Sequence, residues 1–434
     1  MRIAVFATYD VSPGENGGEA RYLALYSRLA KSHEVRVVAY HSGTGNASAT
    51  EVLTPNFINV VCGISQADSQ KMHSLFARTG RYLHDILCIE EYSFTDAFRA
   101  EVREAIAWAD AVVISTPFLA PFISPLCKRT QLKIHESHNV EADAKASYLS
   151  VGRNPVMMAR FLEQVRVAET LALCSADAVI AVSDGDAQRF ADLYDVQASK
   201  LVVVPNGVTS ADYDAVPPEA VEAMRGVLSS PAGVGLFIGS AYGPNIESYK
   251  QTRLWLDEAG FSGKVIVLGR MIEARDDSWP KVGFTENWLG FVDLETKLLL
   301  MRSADFALQI VTSGGGTNLK VFEYMAAGLP IIANNFGTRG IADDGWSLRA
   351  DDVPELATLV TDKAWASLAG TAAATKAKAV VEREYDWDIG ARRYDDVFSL
   401  AASVSTAPAP RLAPKVRRTT RAPRAQVSKA VRSV

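Results

Sequence analysis

The segment Ser313–Ala333, SGGGTNLKVFEYMAAGLPIIA, has the pattern of a glycine-rich loop, a short helix and a buried strand. Its three consecutive glycines let the backbone approach a ligand closely. The helix that follows points its free N–H groups into the loop, where they can hold an anion. Lys320 and Glu323 are three residues apart and share one helix face. A cation beside the loop and a carboxylate one turn later suit a ligand with phosphate at one end and hydroxyl groups at the other, as in a nucleotide sugar.

The composition is that of a globular chain with a large core. The 434 residues allow about two or three domains, and 48% of them are hydrophobic. No apolar run approaches the ~18 residues that span a membrane, and the first residues predict a buried strand rather than a signal peptide. The four cysteines are scattered without a CxxC pair, which is typical of reduced core residues in a cytoplasmic protein and predicts no metal site.

Short apolar strands alternate with amphipathic helices over residues 1–208, which predicts α/β structure with a parallel sheet. A Pro-Asn-Gly turn at 205–207 closes this half. The predicted strands are Ile3–Ala7, Val35–Ala39, Ile58–Val61, Ala111–Ile114, Lys133–Glu136, Ala178–Val182 and Leu201–Val204.

A second series of the same kind predicts another parallel sheet over residues 209–387. Two such halves predict two Rossmann-like domains that face a central cleft, with ligands at the carboxyl ends of the strands. A last helix, Asp388–Ser403, is expected to pack back on the first domain. The second series comprises a helix over Ile246–Ala259 and strands over Gly235–Gly239, Val265–Gly269, Trp288–Phe291, Phe306–Ile310 and Ile331–Ala333.

Charge is distributed unevenly along the chain. Residues 411–434 hold eight Arg or Lys and no acid, which gives this tail a charge of +8. Because the whole chain has a net charge of −5, the other 410 residues carry −13. The segment 405–434 has almost nothing to bury and predicts disorder. The cationic stretch Lys71–Leu87 fits a surface helix, a segment on an anionic membrane, or an acceptor site. The tail fits either a solvated segment or further attraction to an anionic surface; no nucleic-acid partner is expected.

Several motifs follow one another in a fixed order over residues 1–400. The first half has Gly17-Gly18-Glu19-Ala20-Arg21, His33–Val38, His138-Asn-Val-Glu141, Ser175–Ser183 and Val204-Pro-Asn-Gly-Val208. The second half has Phe237-Ile-Gly-Ser240 with Pro244-Asn245, Leu289-Gly-Phe-Val292 and the segment Ser313–Ala333. Together they resemble the GT-B glycosyltransferases of family 4, the large group 1 class. The resemblance implies retaining, metal-independent transfer from a nucleotide diphosphate sugar, with no further cofactor.

The resemblance also implies that the donor binds mainly to the second half. Glu323 is expected to accept hydrogen bonds from ribose hydroxyls, and Lys320 to stabilise the leaving diphosphate. Backbone groups of Leu289–Val292 resemble those that bind the base. The expected donor-binding residues are Gly17, Gly18, Ser240, Asn245, Phe291, Val292, Gly315, Gly316, Thr317, Asn318, Lys320 and Glu323.

A polar cluster, HESHNVE at residues 135–141, follows a predicted strand of the first half. A histidine there fits either structural hydrogen bonding or catalysis. In the family the matching histidine contacts the transferred sugar, so His138 joins Lys320 and Glu323 as an expected catalytic residue that orients and hydrogen-bonds the sugar. His135 and Glu136 are expected to support the motif, and Glu141 to cap or brace the loop.

Two departures from the family pattern concern the donor site. Family members often carry an Arg and a Lys in the loop after the first strand of the second half, whereas Gly239–Asn245 has neither. The first of the family's two glutamates would fall where this chain has Gly315. Lys320 is expected to replace the basic pair, and the amides of Gly315, Gly316 and Thr317 to replace the glutamate. The loop at 239–245 also fits a turn without ligand contact.

These patterns predict a cytoplasmic glycosyltransferase, either free or peripheral at the inner face of a membrane. Its partners would be a nucleotide sugar donor and a glycan or lipid-linked acceptor, in surface polysaccharide or lipopolysaccharide synthesis. The two departures leave open a binding or scaffold subunit that has lost activity. A GT-B-shaped sugar-nucleotide epimerase, which needs no acceptor, is the third alternative.

Overall fold

The computed structural model describes residues 1–12, 14, 17–44, 47–90, 94–313 and 317–405, which form two β-sheets flanked by helices. The predicted donor-binding residues Gly315 and Gly316 lie outside the described residues, as does the predicted disorder over 406–434. The described part therefore contains the helix and strand of the opening segment, but not the whole glycine loop.

Eight strands of the described chain form the first sheet, in the spatial order β3-β4-β2-β1-β5-β6-β7-β8. They are β1 (Arg2–Ala7), β2 (Glu34–Thr44), β3 (Ser48–Thr54), β4 (Phe57–Ile64), β5 (Ala111–Ile114), β6 (Leu132–Glu136), β7 (Ala178–Ala181) and β8 (Leu201–Val203). All neighbouring strands are parallel except β3 and β4, which are antiparallel. The sequence-based prediction lacks β3 because this edge strand is mostly exposed and has few apolar positions.

The second sheet has six described strands in the order β11-β10-β9-β12-β13-β14. They are β9 (Val234–Ile238), β10 (Lys264–Leu268), β11 (Thr285–Gly290), β12 (Phe306–Gln309), β13 (Ile331–Ala333) and β14 (Leu348–Arg349). All five pairings are parallel. This is the 3-2-1-4-5-6 order of the Rossmann fold, so the predicted fold class is confirmed.

Helices connect the strands of both sheets and cover their faces. Those of the first half are α1 (Gly17–Leu29), α2 (Gln66–Thr79), α3 (His84–Leu87), α4 (Asp96–Trp108), α5 (Ala120–Ile123), α6 (Glu141–Ser150), α7 (Pro155–Ser175) and α8 (Asp184–Tyr194). The remaining helices are α9 (Ser210–Asp214), α10 (Pro218–Leu228), α11 (Gly243–Glu258), α12 (Leu294–Ser303), α13 (Leu319–Ala326), α14 (Val353–Thr361), α15 (Leu368–Val380) and α16 (Trp387–Ser405).

The last helix, α16, packs against the first sheet although it is encoded after the second. Its residues Trp387, Tyr394 and Phe398 are buried in one core cluster with β1 and α1. The chain returns next to the outgoing connection, where the Val208 amide donates to the Tyr385 carbonyl at 3.0 Å and the Trp387 amide donates to the Val208 carbonyl at 3.0 Å. The two connections between the sheets are therefore hydrogen-bonded to each other.

The cationic stretch Lys71–Leu87 is divided between α2 and α3. Gly80, with φ of 68°, ends α2, and the rings of Phe76 and Tyr82 stack with their centres 4.3 Å apart while both stay exposed. No helix in the described residues is long and apolar enough to cross a membrane. All four cysteines are free, but Cys174 is exposed rather than part of the core.

Candidate active site

Both sheets have a topological switch point, where the strand order reverses. In the first sheet it lies between β1 and β5, and in the second between β9 and β12. Ligands of open parallel sheets bind in such crevices, beyond the carboxyl ends of the strands. The described residues of the predicted site all lie in connections that follow β1, β6, β9, β11 or β12.

Lys320 is the buried cation of this region and lies in the first turn of α13. Its Nζ donates to the Ile238 carbonyl at 2.8 Å and to Asn245 Oδ1 at 3.3 Å, and it lies 4.5 Å from the centre of the Phe237 ring. Burial, followed by the positive charge of Arg339, lowers the pKa of Lys320 to about 7. Its charged and neutral forms are therefore close in free energy at neutral pH.

The loop after β9 and the first turn of α11 bring Ser240 and Asn245 to Lys320. Asn245 Nδ2 donates to Ser240 Oγ at 2.9 Å, while its Oδ1 accepts from Lys320. Ser240 is exposed. The two predicted loop residues therefore form one hydrogen-bonded group with Lys320, at the loop where the family's basic pair is missing.

Arg339 is a second cation of this region, and no motif of the sequence indicates it. It follows β13, and its charge contributes to the lowered pKa of Lys320. Burial lowers the pKa of Arg339 itself, and the Asp186 carboxylate at the start of α8 opposes that shift. The adjacent Gly340 has φ of +78°, and a Cβ there would come within 2.4 Å of Thr317 Cγ2. This segment therefore packs directly against the residues that precede α13.

Glu323 faces Lys297 of the neighbouring helix α12. Lys297 Nζ donates to Glu323 Oε1 at 2.5 Å, and the two side chains are 26% and 23% exposed. Glu323 therefore has an ion-pair partner that the sequence pattern did not indicate, yet part of its carboxylate still reaches solvent. That exposure lets it accept hydrogen bonds from a ligand's hydroxyl groups.

The N-termini of α1 and α13 lie next to each other. A Cβ on Gly17 would come within 2.8 Å of Leu319 Cδ1, and a Cβ on Gly18 within 2.2 Å of the Tyr9 hydroxyl. Asn206, in the connection between the sheets, donates from Nδ2 to Thr317 Oγ1 at 2.9 Å. Two helix ends with positive dipole ends therefore converge, which favours binding of an anion.

His138 follows β6 and has a hydroxyl group at each ring nitrogen. The Tyr9 hydroxyl lies 3.3 Å from Nδ1 and Ser115 Oγ lies 3.2 Å from Nε2. Burial lowers the pKa of His138 to about 4, and the charge of Glu136 opposes this only in part. The imidazole is therefore neutral at physiological pH.

Glu136 is fully buried and forms an ion pair with Arg21 of α1, with 3.1 Å between Arg21 Nε and Oε1. The Tyr26 hydroxyl donates to its Oε2 at 2.6 Å, and Tyr394 of α16 lies 3.4 Å from the same oxygen. Although burial acts to raise the pKa of Glu136, the charge of Arg21 and the hydrogen bonds from Tyr26 and Arg21 outweigh it and leave the pKa lowered. Glu136 is therefore an ionised support under the polar cluster.

The start of α6 is held by Glu169 of α7 rather than by Glu141. The amides of Glu141 and Ala142 donate to the two Glu169 carboxylate oxygens at 2.6 and 3.0 Å. Glu141 itself accepts from Asn139 Nδ2 at 3.2 Å and so braces the loop after His138. Among the described residues, no group of three His, Cys, Asp or Glu side chains could hold a metal ion.

The other predicted donor residues lie at the rim and at the helix start. Phe291 is 64% exposed, and Val292 packs on the edge of the core of the second sheet. Asn318 precedes α13, and its buried Nδ2 has no hydrogen-bond partner among the described residues. Lys320 contacts Asn245, which bonds to Ser240, at the switch point between β9 and β12. Thr317, Asn318 and Glu323 lie on the same connection as Lys320, whereas Phe291 follows β11, two strands away from β9.

Two glycosyltransferase family models match consecutive parts of the chain. The model described as Glycosyltransferase Family 4 covers residues 15–211, and the model described as Glycosyl transferases group 1 covers residues 246–363. A D-inositol 3-phosphate glycosyltransferase of Kineococcus radiotolerans is 31% identical over 106 residues, which are 24% of this chain. This match covers only 23% of that relative's length.

Solved structures share the fold over nearly the whole chain. The crystal structure of Anabaena HepE in complex with UDP has a TM-score of 0.62 at 15% identity, over 92% of this chain and 100% of that one. Sucrose-phosphate synthase from Thermosynechococcus elongatus has a TM-score of 0.68 at 14% identity, over 93% of this chain and 100% of that one. With both family models matching in order, the chain belongs to the GT-B glycosyltransferases of the family 4, group 1 type.

Proposed function

We propose that the chain transfers a sugar from a nucleotide diphosphate sugar to an acceptor hydroxyl, with retention of configuration and without a metal ion. The observation that carries this proposal is the convergence of the α1 and α13 N-termini beside Lys320, with Glu323 one turn further along α13. Two helix ends and a buried cation suit a diphosphate. A carboxylate one turn away suits the ribose.

The donor would lie across the switch point of the second sheet. Its diphosphate would contact the helix ends and Lys320, with Arg339 in place of the missing basic pair. The buried Nδ2 of Asn318 offers a further N–H donor. Glu323 would release part of its contact with Lys297 to accept hydrogen bonds from the ribose. The UDP bound to the Anabaena protein of the same fold supports a nucleotide donor.

The chemistry would need no nucleophile from the protein. The bond between the sugar's anomeric carbon and the diphosphate oxygen breaks while the acceptor oxygen attacks the same face. The acceptor's proton passes to the departing phosphate oxygen. Negative charge grows on the leaving group, and each helix end would stabilise it by about 0.3–2 kcal/mol. His138 would orient the sugar through hydrogen bonds made in a cleft that excludes water.

The proposed acceptor is a glycan or a lipid-linked sugar used in surface polysaccharide or lipopolysaccharide synthesis. The exposed aromatic pair Phe76 and Tyr82 supports it, because the sequence between the two rings, at the end of α2, contains Arg78 and Arg81. Aromatic rings among basic residues suit the boundary of an anionic membrane. Loss of transfer to a lipid-linked acceptor, but not to its soluble analogue, on changing both rings to serine would support this surface.

The decisive experiment starts with binding. UDP-, GDP- and ADP-sugars are screened for thermal stabilisation of the full chain, which binding must produce by mass action. Glu323→Ala should weaken the best donor's binding about 10- to 100-fold, as expected for the loss of a charged hydrogen-bond acceptor. Glu295→Ala, an exposed change on α12, is the matched control and should leave binding unchanged.

Turnover then separates the alternatives. The best donor is incubated with candidate acceptors, and the anomeric configuration of the product is read by NMR. A retained product supports the proposal, and an inverted one contradicts it. An isomerised sugar formed without acceptor would identify an epimerase. Donor binding without turnover on any acceptor tried would favour a binding or scaffold subunit.

A further inference from the structure

The hydroxyl group of Ser115 connects the buried Arg21–Glu136 ion pair to His138. Glu136 Oε2 accepts from Ser115 Oγ at 3.4 Å, and the same hydroxyl lies 3.2 Å from His138 Nε2. Ser115 and Glu136 are both fully buried. Ser115 directly follows β5 and Glu136 ends β6, so the parallel pairing of these neighbouring strands places the two side chains together.

The direction of these hydrogen bonds follows from the chemistry of the groups. Glu136 is ionised because Arg21 pairs with it, and a carboxylate can only accept. Ser115 has one hydroxyl proton, and donating it to Glu136 leaves only lone pairs for His138. With the Ser115 proton on Glu136, Nε2 carries the proton of the neutral imidazole and Nδ1 is the unprotonated nitrogen.

The second contact of His138 agrees with this direction. Nδ1 lies 3.3 Å from the Tyr9 hydroxyl, and burial raises the pKa of Tyr9, so this hydroxyl keeps its proton and can donate. Tyr9 also touches Gly18 at the start of α1. Nδ1 is therefore the ring nitrogen on the side of the converging helix ends, and Nε2 is the one directed toward the sheet.

We propose that Glu136, acting through the Ser115 hydroxyl, holds His138 in the tautomer whose Nδ1, on the side of the α1 N-terminus, is a hydrogen-bond acceptor. Ser115 and Glu136 are thus positioning residues. The consequence for catalysis rests on the proposed function: Nδ1 of His138 can accept a hydrogen bond from a sugar hydroxyl that displaces Tyr9, but it cannot donate one there. A ligand that offers only acceptors at this position would be disfavoured.

The tautomer can be observed in the full chain without any substrate. Histidine is labelled with ¹⁵N, long-range ¹H–¹⁵N correlations are recorded at neutral pH, and the His138 signal is assigned by its loss in His138→Asn. We expect the neutral Nε2–H form in the unaltered protein. Ser115→Ala should convert it to a mixture of tautomers, because Nε2–H then loses its acceptor. If His138 of the unaltered protein carries its proton on Nδ1, the proposal is overturned.

Two further variants separate this role from general packing. Tyr9→Phe should leave the Nε2–H form in place, because Glu136 and Ser115 still set it; a change of tautomer there would overturn the proposal. Ser124→Ala removes a serine that bonds to Ser175 Oγ at 3.0 Å elsewhere in the first half, and it should change nothing. In a transfer assay, Ser115→Ala should lower kcat about tenfold with little change in KM, equivalent to one lost hydrogen bond.

The two proposals fail separately. The expected tautomer in a protein without transferase activity would leave this inference standing and contradict the proposed function. If the protein transfers sugar but its Ser115→Ala variant keeps the Nε2–H signal unchanged, the proposed function stands and this inference is contradicted.

Discussion

Lys320 illustrates how a single buried side chain can report on ligand binding. Its Nζ is held by two uncharged oxygen atoms, and burial lowers its pKa to about 7. A phosphate group nearby would favour the charged form and raise the pKa again. Binding of a diphosphate should therefore be coupled to the uptake of a proton.

We predict that UDP binding takes up more protons near pH 8 than near pH 6. At the higher pH most free protein has neutral Lys320, whereas below its pKa the lysine is already charged before UDP binds. Calorimetry in buffers with different ionisation enthalpies measures the uptake. Lys320→Met should abolish it, and Lys250→Met, which affects an exposed ion pair with Glu247, should not. Equal uptake at both pH values would contradict the prediction.

The sequence identifies some residues of the site and not others for a physical reason. Lys320, Glu323 and His138 belong to local motifs, so their helix face or strand end can be predicted. Arg339 and Lys297 reach the site from other elements, and only the folded chain brings them there. The roles of the predicted residues stay predictions, and Gly315 and Gly316 lie outside the described residues.

At the scale of elements, α6 depends on a neighbour for its cap. Val140, which precedes it, has no side-chain hydrogen bond to offer, and Glu169 of α7 supplies both acceptors instead. Tyr194 also donates to this carboxylate. The loop that contains His138 is therefore held by a helix that follows it in sequence.

We predict that Glu169→Ala makes α6 open more readily, by about 3 kcal/mol, because two buried N–H groups and one hydroxyl lose their acceptor. Hydrogen exchange of the α6 amides should accelerate about a hundredfold. Glu163→Ala lies on the same helix with an exposed side chain and should leave the exchange unchanged. Equal protection in the two variants would show that Glu169 is not the cap.

Elements were predictable where burial dictates a pattern. The predicted strands agree with the observed ones to within a few residues, because each is an apolar run bounded by turn residues. The short edge strand β14 and the exposed antiparallel β3 escape prediction, since pairing rather than burial holds an edge strand in place. The alternation of strands with helices predicts that the strands of each sheet are parallel. It does not predict on which side of the sheet each new strand is added, so the strand order could not be predicted.

For the whole molecule, Arg21 links the first sheet electrostatically to the connection that leads to the second. Besides Glu136 it donates to the carbonyls of Val204 and Pro205 and to Asn206 Oδ1, at 2.9 to 3.1 Å. Asn206 in turn bonds to Thr317 ahead of α13. One side chain of α1 thus reaches the connection that carries the second half.

We predict that Arg21→Met lowers the free energy of unfolding by about 3–5 kcal/mol, because it leaves Glu136 buried and unpaired. Urea denaturation measures the change. The double variant Arg21→Met/Glu136→Met should recover part of the loss, since removing both charges relieves the desolvation cost. Arg166→Met removes only an exposed ion pair and should cost less than about 1 kcal/mol. If the Arg21→Met variant is as stable as the Arg166→Met control, the prediction is refuted.

The position of α16 has a consequence for the newly made chain. Trp387, Tyr394 and Phe398 fill the core under the first sheet, so that core stays incomplete until the last helix is synthesised. The sheet of the second half has core clusters of its own and can form earlier. At ~5–20 residues per second, translation from the end of β8 to α16 takes on the order of ten seconds or more. Throughout that interval α1 alone covers this face of the first sheet, and the apolar residues that α16 will bury stay exposed.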